Sequence, residues 1–389
     1  MTQGIRYISA HGHSGYGTAA RRLLLGLETA GIPFTWTPMV NGQSWDLWFE
    51  PLQKGSTGDP ALDPFCRRDI PYDTVVLHLV PEYALRWRQM EPDKRFILYT
   101  TWETDRIPHH WRFFLELADV VIVPSTWNKH VFERAALRVP VEVLPHIAID
   151  PNPPQGPPPV PIRTDDFVFF TVDSWTPRKG LRNLIKCYLD TFTATDSVTL
   201  VVKTGARNFT TKSAWTNCAS TVVETRAILG EYLNPARLIL LTQDLSESDL
   251  LRLHARADCY VSLSHGEGWG IGAFDAAAYG KPVIATAFGG SLDYLHPDAA
   301  CLVRCRLVPV NDDQGKPSFS PDQKWAQPDL VHAGRLMRHV VANRDEAAAR
   351  GRQLQSNILK RYNERAMVAQ FMQILNSDAG HRPAAAAKP

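Results

Sequence analysis

A proline-rich segment between residues 145 and 161 most limits how this chain of 389 residues can fold. It contains the run NPPQGPPPVP. Because proline lacks a backbone donor and has a fixed φ, the segment suits neither a helix nor a central strand, and such segments act as semi-rigid connectors. We therefore expect a first domain over residues 1–150, a linker over 151–162 and a second domain over 163–362.

Short apolar runs alternate with helical patterns on both sides of this linker. The predicted strands are 5–10, 34–40, 74–79, 95–100, 120–124 and 141–144 in the first half, then 167–172, 198–203, 238–241, 257–263 and 283–286 in the second. This alternation indicates parallel sheets covered by helices, hence an α/β fold of two Rossmann-like domains with a cleft for ligands. Residues 363–376 are predicted to form a C-terminal helix, and the sequence leaves open whether this helix packs back on the first domain. Residues 377–389 are predicted to form a flexible tail.

The composition is that of an ordinary soluble globular protein, with 44% hydrophobic and 21% charged residues. A net charge of +2 gives no reason to expect nucleic acid or an anionic membrane as the main partner. Six scattered cysteines are too few for a disulfide scaffold, which favours a reduced, cytoplasmic setting. No apolar run approaches the length of a transmembrane helix, so membrane contact would have to be peripheral.

The stretch from Ser264 to Thr286, SHGEGWGIGAFDAAAYGKPVIAT, is the strongest candidate for a site. Its glycine-broken turn carries Glu267 and leads into a predicted helix over 272–279, whose free N–H groups could receive a phosphate. Asp275 follows eight positions after Glu267, so two carboxylates could bind hydroxyls along one ligand. The alternative is a strand-turn-helix-strand unit in which the glycines only shape the turn.

The first half carries weaker signals. Gly15 and Gly17 lie in a predicted loop over 11–17 that partly matches a dinucleotide fingerprint, but the next predicted strand ends in Asn41 and Gly42 rather than in an acid for the ribose. An NAD(P)-dependent enzyme is therefore the weaker alternative. His11 and His13, in the same loop, are candidates for proton transfer, with surface hydrogen bonding as the alternative.

Two acids, Glu103 and Asp105, follow the predicted strand 95–100. In open α/β sheets, ligands gather outside the carboxyl ends of strands, so these acids are candidates for substrate contact. Capping of a helix near Pro108 is the alternative.

Several motifs together resemble one known family. They are GYGTAARRLLLGL, WETDRIPHHW, ADVVIVPSTWNKHVF, RKGLRNLIKCY, LVVKTG and, most specific of all, SHGEGWGIGAFDAAAYGKPVIAT. The chain resembles the retaining nucleotide-sugar glycosyltransferases of family 4, over most of residues 10–300. The resemblance implies the GT-B fold, in which two Rossmann-like domains face each other across a cleft.

The resemblance also implies roles for particular residues. Glu267 matches the family acid that contacts the donor sugar, and Asp275 stands where a second Glu would hold the ribose. Lys179 matches the lysine that meets the diphosphate. The family usually has a second phosphate ligand, an arginine about six residues before that lysine, where this chain has Asp173 and Ser174. Arg178 or Lys203 would then have to replace it.

The remaining implied site residues divide between the two substrates. The donor side adds Gly15, Gly17, His265, Gly268, Trp269, Gly270 and Ile271, and the acceptor side takes Glu103, His11 and His13.

The expected activity is transfer of a hexose from a UDP- or GDP-sugar to an acceptor hydroxyl, with retention of the anomeric configuration. The sequence has no Asp-x-Asp pair at a predicted strand end, so no required metal or further cofactor is expected. The acceptor is not assigned. A non-catalytic nucleotide- or carbohydrate-binding protein on the same scaffold is the alternative of a different class.

Overall fold

The computed structural model describes residues 2–42, 49–152, 154–210, 220–313 and 315–377. The predicted tail lies outside the described residues from position 378 onward. The chain divides into two compact units. Unit 1 comprises Met1–Trp102, Arg106–Ile147 and Arg361–Pro389, and unit 2 comprises Glu103–Asp105 and Ala148–Lys360.

Strands and helices alternate along most of the described chain. The strands are β1 (Ile5–Ala10), β2 (Phe34–Asn41), β3 (Phe49–Pro51), β4 (Thr74–His78), β5 (Arg95–Tyr99), β6 (Val120–Val123), β7 (Val141–Val143), β8 (Phe167–Val172), β9 (Val198–Lys203), β10 (Arg237–Leu241), β11 (Cys259–Ser262), β12 (Val283–Thr286), β13 (Cys301–Val303), β14 (Cys305–Pro309) and β15 (Lys324–Pro328). The helices are α1 (Gly15–Thr29), α2 (Ala84–Met90), α3 (Trp111–Leu115), α4 (Thr126–Glu133), α5 (Leu181–Thr191), α6 (Thr221–Leu229), α7 (Glu247–Arg256), α8 (Ile271–Ala278), α9 (Leu330–Ala342), α10 (Arg344–Arg361) and α11 (Glu364–Asn376).

Unit 1 is built on a sheet whose strand order is β3-β2-β1-β4-β5-β6-β7 among the described residues. Neighbouring strands are parallel, except that β3 runs antiparallel to β2. The direction of strand succession reverses between β1 and β4. Strands β4 and β6 are buried along their whole length, as expected for parallel strands covered on both faces.

Helix α1 begins earlier than the sequence predicted. The predicted loop over 11–17 is wrong at its end, because Ser14 caps the helix and its Oγ accepts a hydrogen bond from the Gly17 backbone N–H at 3.1 Å. Gly15 and Gly17 therefore lie in the first turn of α1. A Cβ on Gly17 would come within 2.2 Å of the Gly12 carbonyl oxygen, so this close approach requires glycine.

Helix α11 packs against α1 within unit 1. Gly26 of α1 allows this contact, since a Cβ there would lie 2.8 Å from Val368 Cγ2 of α11. Phe371 is fully buried, and its ring meets that of Tyr7 edge-on at 6.4 Å. The last described helix is thus part of the core of unit 1.

Unit 2 is built on a parallel sheet with the order β10-β9-β8-β11-β12-β13 among the residues described. Strand succession reverses between β8 and β11. The runs FVFFTV of β8 and VIAT of β12 are almost wholly buried, which explains why their apolar patterns predicted strands correctly. The antiparallel hairpin of β14 and β15 was not predicted.

Candidate functional site

A polar pocket lies at the carboxyl ends of the strands of unit 2, where the strand order reverses. In open parallel sheets ligands bind at such a point. The pocket is lined by residues that follow β8, by β11 and the loop after it, by the end of β12, by the first turn of α8 and by Ser291. Its polar lining residues are Asp173, Lys179, Tyr260, Ser262, Ser264, Glu267, Thr286 and Ser291.

Opposite charges meet at this pocket. Lys179 Nζ lies 2.8 Å and 3.0 Å from the two carboxylate oxygens of Glu267, and 2.6 Å from Asp173 Oδ1. Arg178 Nη1 donates to the Gly266 carbonyl at 2.7 Å and lies 3.3 Å from Glu267 Oε2, while Nη2 lies 3.4 Å from Glu103 Oε1. We call Glu103, Asp173, Arg178, Lys179 and Glu267 the charged cluster. Each of its side chains is at most 18% exposed.

Burial and mutual charge shift the pKa values of the cluster acids in different directions. Burial raises the pKa of Asp173 to about 6, against the opposing pull of Lys179. Burial also raises the pKa of Glu103, although Arg178 acts the other way. For Glu267, burial is outweighed by Lys179 and Arg178 together, so its pKa falls below the usual value. Glu267 is thus the acid that the two cations hold ionised.

The cations of the cluster stay charged. Burial would lower the pKa of Lys179, but Asp173 and Glu267 together raise it above its ordinary value. Burial acts in the same way on Arg178, and the surrounding carboxylates again raise its pKa. Both residues therefore remain protonated within the cluster.

Backbone contacts bring Lys179 and Glu267 together. The backbone N–H of His265 donates to the Arg178 carbonyl at 2.7 Å, which joins the turn before α5 to the loop after β11. Gly180 adopts a left-handed conformation with φ +61, and a Cβ there would lie 2.6 Å from the Leu263 carbonyl oxygen. The turn therefore approaches the β11 loop closely only with glycine at this position.

The loop that carries Glu267 is fixed from a second side. The Glu267 carbonyl accepts a hydrogen bond from the backbone N–H of Gly290 at 2.7 Å. Gly289 has φ +96, and a Cβ there would lie 2.5 Å from the same carbonyl oxygen. The close contact between this segment and the Glu267 carbonyl therefore requires glycine at position 289.

Helix α8 points its N-terminus at the pocket, since Gly270, Gly272 and Ala273 belong to the lining. Gly270 is the N-cap residue in a left-handed conformation with φ 83, and among the described residues no side chain caps this end by a hydrogen bond. Such an end favours an anion through its free N–H groups and the helix dipole. Asp275, within α8, is 6% exposed and does not line the pocket.

His265 contacts the unpredicted hairpin. Its Nδ1 lies 2.6 Å from the Ala326 carbonyl oxygen, and its ring stacks on Trp325 at 4.7 Å. Burial lowers the pKa of His265, so the ring is neutral near pH 7. Neither CRLVP nor KWAQP alternates regularly between apolar and polar residues, so the two runs around the polar loop NDDQGKPSFSPD gave no clear signal for this hairpin.

The hairpin also holds the segment that carries Glu103. Asp105 Oδ1 accepts from the Lys324 backbone N–H at 2.6 Å, and the Asp105 N–H donates to the Lys324 carbonyl at 3.0 Å. The alternative of helix capping is wrong, because α3 begins at Trp111 after His110. These contacts place Glu103 beside Arg178 in unit 2.

The other predicted site residues are not part of the charged cluster. Lys203 ends β9, and its Nζ donates to the Thr204 carbonyl at 3.0 Å. Gly15, Gly17, His11 and His13 belong to unit 1. Within that unit, the ring of His11 meets Trp36 edge-on at 5.8 Å, and His13 is exposed.

Sequence reasoning missed several polar lining residues, because serine, threonine and tyrosine carry no distinctive spacing. These are Tyr260, Ser262, Ser264, Thr286 and Ser291. Within the described parts of the chain, no three His, Cys, Asp or Glu side chains are arranged to hold a metal ion. Nor does any helix described there combine the length and apolar character needed to cross a membrane.

Comparisons with known proteins address the family and the fold. Residues 156–311 match the model of the family described as glycosyl transferases group 1. No curated protein matches the sequence significantly.

Three solved structures are similar over nearly their whole length. HepE of Anabaena in complex with UDP and glucose is 16% identical with a TM-score of 0.63, covering 96% of this chain and 99% of that one. Sucrose-phosphate synthase from Thermosynechococcus elongatus is 16% identical with a TM-score of 0.66, covering 96% and 98%. A UDP-forming alpha,alpha-trehalose-phosphate synthase from Burkholderia xenovorans is 13% identical with a TM-score of 0.64, covering 97% and 99%. The predicted α/β fold of two Rossmann-like domains is confirmed.

Proposed function

We propose that this chain is a GT-B glycosyltransferase, which transfers a hexose from a nucleoside-diphosphate sugar to an acceptor hydroxyl with retention of configuration. Its partial family match and its fold support this proposal. The observation that carries the proposal is the contact between Lys179 and Glu267, 88 residues apart in sequence, beside the uncapped N-terminus of α8. A cation, a helix N-terminus and an ionised acid in one pocket suit a ligand that combines phosphate and hydroxyl groups.

The proposed reaction breaks the bond between the anomeric carbon and the diphosphate oxygen and forms a bond from that carbon to the acceptor oxygen. The acceptor proton passes to the departing phosphate oxygen, so no protein base is required. Lys179 and the N-terminus of α8 stabilise the negative charge that develops on the leaving group. Glu267 accepts hydrogen bonds from donor hydroxyls and fixes the sugar in place.

The proposal also covers the donor-side contacts and the identity of the nucleotide. We propose that Asp275 binds the ribose, and that Arg178 and Lys203 add positive charge on the donor side. UDP is the proposed nucleotide, because the similar structures include HepE with UDP and glucose and a UDP-forming synthase. The acceptor contacts of Glu103, His11 and His13 stay predictions.

Two alternatives differ from this proposal in what they bind or do. An NAD(P)-dependent enzyme is favoured by neither the family match nor the similar structures. A non-catalytic binding protein would hold the nucleotide without turnover. The nucleotide that binds therefore distinguishes the proposal from the first alternative, and turnover distinguishes it from the second.

A ligand panel in a thermal-shift assay tests donor binding. UDP at about 100 times its Kd is expected to stabilise the folded protein by about 2.7 kcal/mol, and so to raise its unfolding midpoint. NAD+ at the same concentration is expected to leave the midpoint unchanged. Stabilisation by NAD+ but by neither UDP nor GDP would contradict the proposal.

A further inference from the structure

We propose that Asp173 sets the donor affinity of this site, by competing with the donor diphosphate for Lys179 until the carboxylate takes up a proton. Asp173 follows β8 directly, and its side chain is 8% exposed. Its Oδ1 lies 2.6 Å from Lys179 Nζ, closer than either oxygen of Glu267. The inference rests on the proposed function, because it concerns the same pocket.

The charge balance of the cluster opposes a second anion. Two cations, Arg178 and Lys179, face three carboxylates, those of Glu103, Asp173 and Glu267. With all five groups ionised the cluster carries one net negative charge, in surroundings where burial makes uncompensated charge costly. A diphosphate diester brings two further negative charges. Neutralising one carboxylate is the smallest change that lets Lys179 bind the diphosphate.

Arg178 is already engaged by other groups, since its guanidinium contacts Glu103, the Gly266 carbonyl and Glu267. Among the cluster cations, Asp173 forms its ion pair with Lys179.

Burial raises the pKa of two cluster acids, Glu103 and Asp173, but Glu103 pairs with Arg178, so Asp173 is the acid whose protonation releases Lys179. The groups that face it are Lys179, Glu267, Arg178 and the phenol of Tyr260. Burial raises its pKa to about 6, whereas Lys179 and Arg178 hold Glu267 ionised. The free protein therefore ionises Asp173 as the pH rises through about 6. Above that pH, Asp173 must take up a proton when the donor binds. The apparent donor Kd therefore rises about tenfold per pH unit.

The test is calorimetric binding of UDP-glucose at pH 5.5, 6.5, 7.5 and 8.5. UDP-glucose is the probe because its phosphates stay ionised over this range, whereas the terminal phosphate of UDP titrates. The proteins are the wild type, Asp173→Asn and the matched control Asp298→Asn, which removes an exposed carboxylate outside the pocket lining. Wild type and control are expected to lose about tenfold in affinity per pH unit above pH 6.5. Asp173→Asn is expected to bind at least tenfold more tightly than wild type at pH 8.5, with a flat profile.

Proton uptake gives a second readout that does not depend on how well asparagine replaces aspartate. Repeating the titration at pH 7.5 in two buffers of different ionisation enthalpy is expected to show uptake of nearly one proton by wild type and none by Asp173→Asn. A flat wild-type profile without proton uptake, in a protein that binds UDP-glucose, would overturn this inference and leave the proposed function standing. Absence of UDP-glucose binding by all three proteins at every pH would overturn the proposed UDP-sugar function, and this inference with it.

Discussion

Replacing Lys179 by glutamine is expected to lower kcat/KM for sugar transfer by at least about a hundredfold. The Lys179 ammonium lies in the pocket 2.8 Å from Glu267 and keeps its charge there. Glutamine preserves much of the side-chain length but cannot offset the charge that develops on the leaving diphosphate. Steady-state nucleotide release measures the effect, and circular dichroism and the thermal midpoint establish that the variant is folded.

Lys186→Gln is the matched control for this change. Lys186 lies on α5, is 31% exposed and pairs with Glu231 at 2.6 Å. Its loss is expected to change turnover less than twofold, since exposed ion pairs contribute about 0–1 kcal/mol and this one does not line the pocket. Turnover by folded Lys179→Gln at the wild-type rate would show that Lys179 does not act on the leaving group.

Gly289→Ala is expected to impair both stability and turnover, although residue 289 contributes no functional group. A Cβ at this position would lie 2.5 Å from the Glu267 carbonyl oxygen, and φ +96 disfavours any residue with a side chain. The backbone strain is expected to cost about 1–3 kcal/mol. Displacement of Glu267 by about 1 Å is expected to lower kcat by up to about a hundredfold. Denaturant unfolding and steady-state kinetics measure the two effects.

Gly205→Ala provides the comparison within unit 2. A Cβ on Gly205 would meet no atom within 4 Å. Its free energy of unfolding is expected to stay within about 0.5 kcal/mol of wild type, as for most surface substitutions. If Gly289→Ala behaved like Gly205→Ala in both assays, the contact between Gly289 and the Glu267 loop would not be what positions the carboxylate.

Much of the fold could be predicted because the parallel strands are buried on both faces. Runs such as FVFFTV in β8 are apolar almost throughout, which is typical of parallel strands buried on both faces. The start of α1 was missed because glycines were interpreted as loop residues, whereas the Ser14 cap allows Gly15 and Gly17 in the first turn. Strands β14 and β15 were missed because their short runs do not alternate regularly between apolar and polar residues and a long polar loop separates them.

The candidate site was predictable in part. Lys179 and Glu267 were each expected on the donor side from the motifs, and the structure brings both side chains to one pocket. The contact of Asp173 with Lys179 could not be predicted, since both residues lie in the eight residues of irregular chain between β8 and α5, and such a segment leaves their relative positions undetermined. The place of Glu103 depends on the unpredicted hairpin, through the contacts of Asp105 with Lys324. Long-range contacts of this kind leave no local pattern.

The most direct test of the central claim is nucleotide release by the wild-type protein from UDP- and GDP-sugars, with and without a panel of acceptor hydroxyl compounds. We expect acceptor-dependent release of UDP that persists in EDTA, with the product keeping the anomeric configuration of the donor by NMR. Folded wild-type protein that binds UDP-sugars but releases no nucleotide with any acceptor, or releases it only with an added divalent metal, would contradict the account.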